Sequence, residues 1–146
     1  MSPRELRLLF LVAGAIVFVD TAFYSAVVPL LPTLTREFHL SKASAGVMTA
    51  GYAAGTLVGS LPGGMLAERA GPRVTLYAGL ALMGSASLAF GLLHNVVLLD
   101  AARFLQGVGG ACTWAGSMVW LIVEAPADRR GSAIGGALAA GIGGAL

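Results

Sequence analysis

The chain has 146 residues, of which 57% are hydrophobic and 11% charged, with nine Lys and Arg against seven Asp and Glu for a formal net charge of +2. An ordinary soluble domain is about a quarter charged, so this composition, with a mean hydropathy of +0.84, excludes a water-facing fold and makes lipid the solvent. The charges are scattered, which excludes a nucleic-acid surface; the single cysteine, Cys112, has no second cysteine and no nearby histidine, which excludes a disulfide framework and a zinc site.

A helix needs about 20 apolar residues to cross a hydrocarbon layer of about 30 Å, and four intervals reach that length. The first, residues 8–31, holds Asp20 and ends in Pro29-Leu30-Leu31-Pro32. It is too long for a signal-peptide core, has more spans behind it, and is expected to stay in the mature protein. The second, residues 46–67, places Gly51, Gly55, Gly59 and Gly63 at every fourth position. That spacing makes a groove along one helix face where a neighbouring backbone approaches closely, so this helix is expected to have a partner. The third, residues 74–93, carries Gly84 and Gly91 two turns apart on one face. The fourth, residues 96–123, has Asp100 and Arg103 near its start; Trp114 within it reads as packing and Trp120 as an interfacial anchor. A fifth interval, residues 132–146, is too short to span and reads as the start of a truncated helix. Its small residues recur as Gly131, Gly135, Ala139, Gly143 and as Ser132, Gly136, Ala140, Gly144. The expected fold is thus all-α and integral to the membrane, one partial bundle over residues 1–146.

Lys and Arg set the orientation, because short loops rich in them stay in the cytoplasm. A cytoplasmic amino terminus puts Arg4, Arg7, Arg69, Arg73, Arg129 and Arg130 inside, and only Arg36 and Lys42 outside. The expected outer loops cover residues 32–45 and the His94-Asn95 turn; the inner ones cover residues 68–73 and 124–131.

The first inner loop reads Gly64-Met65-Leu66-Ala67-Glu68-Arg69-Ala70-Gly71-Pro72-Arg73. Physically it is a tight hairpin: Gly71 can take a left-handed backbone, Pro72 can open the next helix, and Glu68, Arg69 and Arg73 can pair across the turn. It resembles the loop of the major facilitator superfamily between its second and third helices, with Glu68 where Asp is usual and Pro72 where a basic residue is common. In the fourth span, Arg103-Phe104-Leu105-Gln106-Gly107-Val108-Gly109-Gly110-Ala111 resembles the Arg-x-x-Gln-Gly-x-Gly-x-Ala motif of the same superfamily. Glu124, with Pro126, Arg130 and Gly131, is similar to its next inner loop, whose acidic residue joins the charge cluster of the first motif; Glu124 is accordingly expected to face Arg69 or Arg73. Asp20-Thr21 through Pro32 resembles the first helix of its drug:proton antiporter branch.

The resemblance implies the amino-terminal half of a secondary carrier that rocks about a central cavity in the cell's inner (plasma) membrane. Its partners would be the lipid bilayer, a small-molecule substrate, protons and the missing carboxy-terminal half, with efflux by antiport as the implied activity and proton-coupled uptake of a sugar or organic acid as an alternative. No cofactor, metal or catalytic chemistry is called for, and an enzyme is not expected. Two rivals stand beside this reading. A four-helix dimeric exporter would lack both motifs, and a non-transporting structural membrane protein would have no reason to hold Asp20 and Arg103 within the membrane, where ionisable groups are costly. By helical rise, Asp20 lies roughly 16 Å and Arg103 roughly 10 Å below the outer surface, so the two are expected to meet and couple proton binding to movement. The alternative is a pair between Arg103 and Asp100, one turn earlier on its own helix. Tyr24 and Gln106, each one turn from one of these charges, are the expected cavity residues.

Overall fold

The computed structural model describes residues 3–145, which form helices and turns without a strand among the described residues. The expected end of the fifth interval at Leu146 lies outside the described residues. The first interval becomes two helices, α1 (Pro3–Ser25) and α2 (Val27–Glu37). Pro29 explains the break: it has no N–H for the Ser25 carbonyl, and its ring crowds that same carbonyl one turn back. The second interval extends at both ends into α3 (Lys42–Ala70), capped by Ser41, whose Oγ accepts from Ser44 N at 3.1 Å. At Gly71 the backbone has φ 91° and ψ 159°, a region essentially confined to glycine, and Pro72 at once opens α4 (Pro72–Leu92). Helix α5 (Val96–Glu124) starts on Asn95, whose Oδ1 accepts from Val97 N at 3.0 Å and Leu98 N at 3.3 Å. Helix α6 (Arg130–Ala145) follows a short turn.

Helix α5 lies at the centre, with α3 and α4 packed along it and α1 against its remaining face; α6 packs on α1. The glycine groove of α3 faces α5. A Cβ on Gly55 would fall inside the Phe104 carbonyl, one on Gly59 would lie 2.9 Å from Val108 Cα, and one on Gly63 3.4 Å from Cys112 Cα. On α4 the close approach is made by Gly79, where a Cβ would sit 2.7 Å from both Gly109 O and Thr113 N. Gly84 and Gly91 face open space. On α6 the buried positions are Ala133, Ala137, Gly141 and Gly144, a face that matches neither small-residue series read from the sequence in full.

Large apolar side chains are turned outward: Leu57, Leu61, Leu88 and Leu92 are 77, 75, 70 and 74% exposed. Water would not tolerate so continuous an apolar exterior, and lipid does. Residues 7–37 and Pro72–Leu92 are long and apolar enough to cross a membrane by composition alone, with mean hydropathies of 2.0 and 1.5. Helices α3 and α5, at 29 residues each, have the length, but the glycines of both and the buried Arg103, Gln106, Thr113 and Ser117 of α5 make them less apolar.

The packing generates a paired prediction. Alanine for glycine gains roughly 1 kcal/mol of helix propensity, so Gly64→Ala, which meets nothing within 4 Å, is expected to hold or raise the unfolding temperature. At Gly55 the new methyl strikes backbone that cannot yield, and overpacking of about 1–3 kcal/mol outweighs that gain. Thermal unfolding in detergent checks this, and equal stability of the two variants would contradict the α3–α5 geometry.

Candidate functional site

Asp20 is 4% exposed, in the carboxy-terminal part of α1 where it meets α3 and α5. A buried carboxylate is tolerated where both oxygens find donors, and here both do. The Tyr52 hydroxyl of α3 donates to Oδ1 at 2.6 Å, and the Trp114 indole Nε1–H of α5 donates to Oδ2 at 2.7 Å. Two short bonds to a charged acceptor therefore tie three helices together.

Arg103, 2% exposed on α5, sits over the ring of the same tyrosine. Its guanidinium carbon is 5.0 Å from the Tyr52 ring centroid, within cation–π range. One terminal nitrogen donates to Phe23 O at 3.1 Å and to Gln106 Oε1 at 2.8 Å, and the other donates to Tyr24 O at 3.2 Å. Those carbonyls lie at the carboxy-terminal end of α1, beside the break that Pro29 imposes, where a helix leaves acceptors exposed and favours a cation. Arg103 thus caps α1 and makes no ion pair with Asp20 or Asp100 among the described residues. Arg103 Nε and Asp100 Oδ1 are buried without a hydrogen-bond partner among the described residues.

Glycines of α5 make this arrangement possible. A Cβ on Gly107 would enter the Tyr52 carbonyl, and one on Gly109 would lie 2.8 Å from Met83 N of α4. At Gly110 a Cβ would stand 2.5 Å from the Tyr52 hydroxyl and 2.6 Å from Asp20 Oδ1, in the space the hydrogen bond occupies. The run from Arg103 to Gly110 therefore has one purpose per glycine: close approach to α3, close approach to α4, and room for the Asp20–Tyr52 pair.

The loop residues lie apart from this cluster, at the other end of the bundle. Arg73 stands 3.7 Å from Glu124 Oε1 and 5.7 Å from the Trp120 ring centroid. With Glu5 and Leu8 these side chains line a cleft of about 480 Å³. Arg130 Nε donates to Ala125 O at 3.2 Å, while Glu68 and Arg69 are exposed and form no ion pair among the described residues. Gly64 faces open space and Gly71 supplies the turn.

Of the residues expected at a cavity, Tyr24 is half-exposed, packs edge-on against Tyr52 with ring centroids 5.3 Å apart, and lines a cleft of about 400 Å³ with Ser25, Val28 and Thr49. Gln106 is buried, accepting from Arg103 and donating to Ser87 Oγ at 3.0 Å. The structure brings Asp20, Tyr24, Arg103 and Gln106 into one network, but through Tyr52, which sequence reading did not single out. Its signal was available: a lone phenol in a glycine and alanine stretch needs a partner once buried. Trp114, read as packing, is a donor to the carboxylate.

The profile of the Major Facilitator Superfamily matches residues 13–146. The chain is 36% identical over 109 residues to the 4-hydroxybenzoate transporter PcaK of Pseudomonas aeruginosa, covering 75% of this chain and 24% of the relative. It is 27% identical over 135 residues to multidrug resistance protein 1 of Bacillus subtilis, covering 92% of this chain and 34% of the relative. It is 38% identical over 91 residues to the lincomycin resistance protein of Streptomyces lincolnensis, covering 60% of this chain and 18% of the relative. The chain thus spans about a fifth to a third of the length of these curated relatives.

Proposed function

The chain belongs to the major facilitator superfamily, a family of multi-pass inner-membrane transporters rather than enzymes, and we propose that it is the amino-terminal bundle of a proton-coupled exporter of a small organic solute. The observation that carries this reading is Asp20: a carboxylate deep in the bundle, joined through Tyr52 to a buried arginine that holds the broken end of α1. Intramembrane ionisable groups are costly and mark ion pathways. With Asp20 charged the cluster is neutral; with Asp20 protonated the Arg103 charge is uncompensated. Proton binding therefore changes the forces on the residue that clamps α1, and α1 is the element through which movement would open or close the cavity. The resistance proteins among the relatives support export. Uptake of an organic acid is the second reading, supported by the hydroxybenzoate transporter among the relatives and by the unpartnered Arg103 Nε, which suits a carboxylate. Counterflow assays with a weak aromatic acid and with a cationic drug distinguish the two.

In the intact transporter, Asp20→Asn is expected to lower proton-driven flux by roughly 5- to 150-fold, the span of a coupling free energy of about 1–3 kcal/mol, while substrate binding stays within a few-fold. Arg103→Ala is expected to lose driven flux as well. Wild-type proton-coupled flux in both variants would end this reading. Loss in Arg103→Ala alone would leave Asp20 a packing residue.

Orientation rests on the distribution of Arg and Lys. Asn95→Cys is expected to react with an impermeant reagent added outside intact cells. Labelling that needs permeabilised cells, together with external labelling of Ala70→Cys, would reverse the topology.

A further inference from the structure

The two oxygens of Asp20 face donors of different kinds. Trp114 Nε1–H, 2.7 Å from Oδ2, can only donate. A proton on Oδ2 would leave the Trp114 N–H only the poorer acceptor of a carboxyl O–H oxygen, whereas a proton on Oδ1 makes Oδ2 the carbonyl oxygen, the stronger acceptor, so Oδ2 is favoured as the acceptor in both protonation states. The Tyr52 hydroxyl, 2.6 Å from Oδ1, donates or accepts, and it has a second acceptor within reach, the Asp20 backbone oxygen at 3.5 Å. Gly110 leaves the space in which that hydroxyl sits.

We propose that Asp20 takes its proton on Oδ1, with Tyr52 as the positioning residue that reverses its hydrogen bond to admit it and Trp114 as the donor that favours Oδ2 as the acceptor. The inference rests on the reading of Asp20 as a proton carrier. One proton from water forms the Oδ1–H bond, and no covalent bond of the protein breaks. The new O–H donates to the Tyr52 oxygen, and the tyrosine turns its own hydrogen to the Asp20 carbonyl. Every polar atom keeps a partner through the change, so a proton can enter a dry site without leaving a buried group unsatisfied. The reversal also reaches Arg103. A phenol donating to a carboxylate has an electron-rich ring, and one accepting from an acid has a poorer ring, so the guanidinium stacked on it is held less tightly after protonation. From the elements packed on α1, the titratable and polar groups facing Asp20 are Tyr52 of α3 and Thr113 and Trp114 of α5, with Arg103 of α5 over the Tyr52 ring. The described part of α6 presents glycine and alanine there, and α2 carries its charges, Arg36 and Glu37, in its last turn.

Infrared difference spectroscopy of the intact transporter, titrated across roughly pH 5 to 9, tests this without requiring transport. A carboxyl C=O band that vanishes in Asp20→Asn identifies the protonated acid. In Trp114→Phe the C=O at Oδ2 loses its donor, and the band is expected to move to higher wavenumber by more than in Tyr52→Phe, where that donor remains. The opposite order would overturn the oxygen assignment and leave Asp20 as the proton carrier. No Asp20-dependent band anywhere in that range would overturn both this inference and the proton-carrier reading. Unmutated protein with ring-¹³C tyrosine gives a second measurement should either variant fail to fold. The phenolic C–O band of one tyrosine is expected to shift with the same midpoint as the Asp20 band, and a tyrosine spectrum unchanged through that midpoint would overturn the reversal.

Discussion

The hydrogen bond between the Tyr52 hydroxyl and Asp20 Oδ1, at 2.6 Å, is the constraint on which the rest of the bundle is arranged. A carboxylate facing lipid would force α1 out of the membrane or into a protein partner, since its transfer without donors costs several kcal/mol. Tyr52 supplies the first donor and in doing so fixes the distance between α1 and α3. Trp114 supplies the second and fixes α1 against α5. Arg103 then lies over the ring of the same phenol and caps the end of α1 that Pro29 has freed. One aromatic side chain thus touches both buried charged residues, which form no direct ion pair among the described residues.

Such a cluster forms only if the helices are close enough for a tyrosine to reach, and backbone proximity is set by glycine. Gly55 and Gly107 each face the backbone of the opposite helix at a separation that a single methyl group would violate. Small residues of this kind let dispersion act over a long shared face, which is the principal attraction left between helices when the surrounding solvent is itself apolar. The glycine motifs and the charged cluster are therefore one design: the first provides the approach and the second uses it. Arg73, Glu124 and Trp120 at the far end form a separate, more exposed group, suited to holding loops.

The all-α fold, the turn at Gly71 and the α3 groove were legible in the sequence because each depends on local chemistry: long apolar runs, a backbone region that favours glycine, a four-residue period of small side chains. Glu124 and Arg73 were also legible, through the resemblance of two loops to one family. What was not legible depends on rotation about the helix axis. Gly84 and Gly91 share a face, yet that face is open and Gly79 makes the contact. The buried face of α6 runs through Ala133, Ala137, Gly141 and Gly144 because Val17, Phe18 and Thr21 on α1 choose it. Asp20 and Arg103 both reach Tyr52, a connection that helical rise does not specify. Tyr52 was hidden because one phenol among glycines has no periodic pattern, and Trp114 because packing is the commoner fate of an apolar-span tryptophan.

If Tyr52 joins Asp20 to α3 as described, the two residues cannot act independently on stability. A double-mutant cycle with Asp20→Asn, Tyr52→Phe and the pair, measured by reversible unfolding of the intact transporter in mild detergent, tests this most directly. Contacting buried residues show interaction energies of about 0.5–3 kcal/mol, and independent sites add within about 0.3–0.5 kcal/mol. A coupling of about 1 kcal/mol or more is expected, with the second substitution costing less once the first is made. Additivity within that narrower margin would mean that Tyr52 does not hold Asp20, and the central connection would be lost.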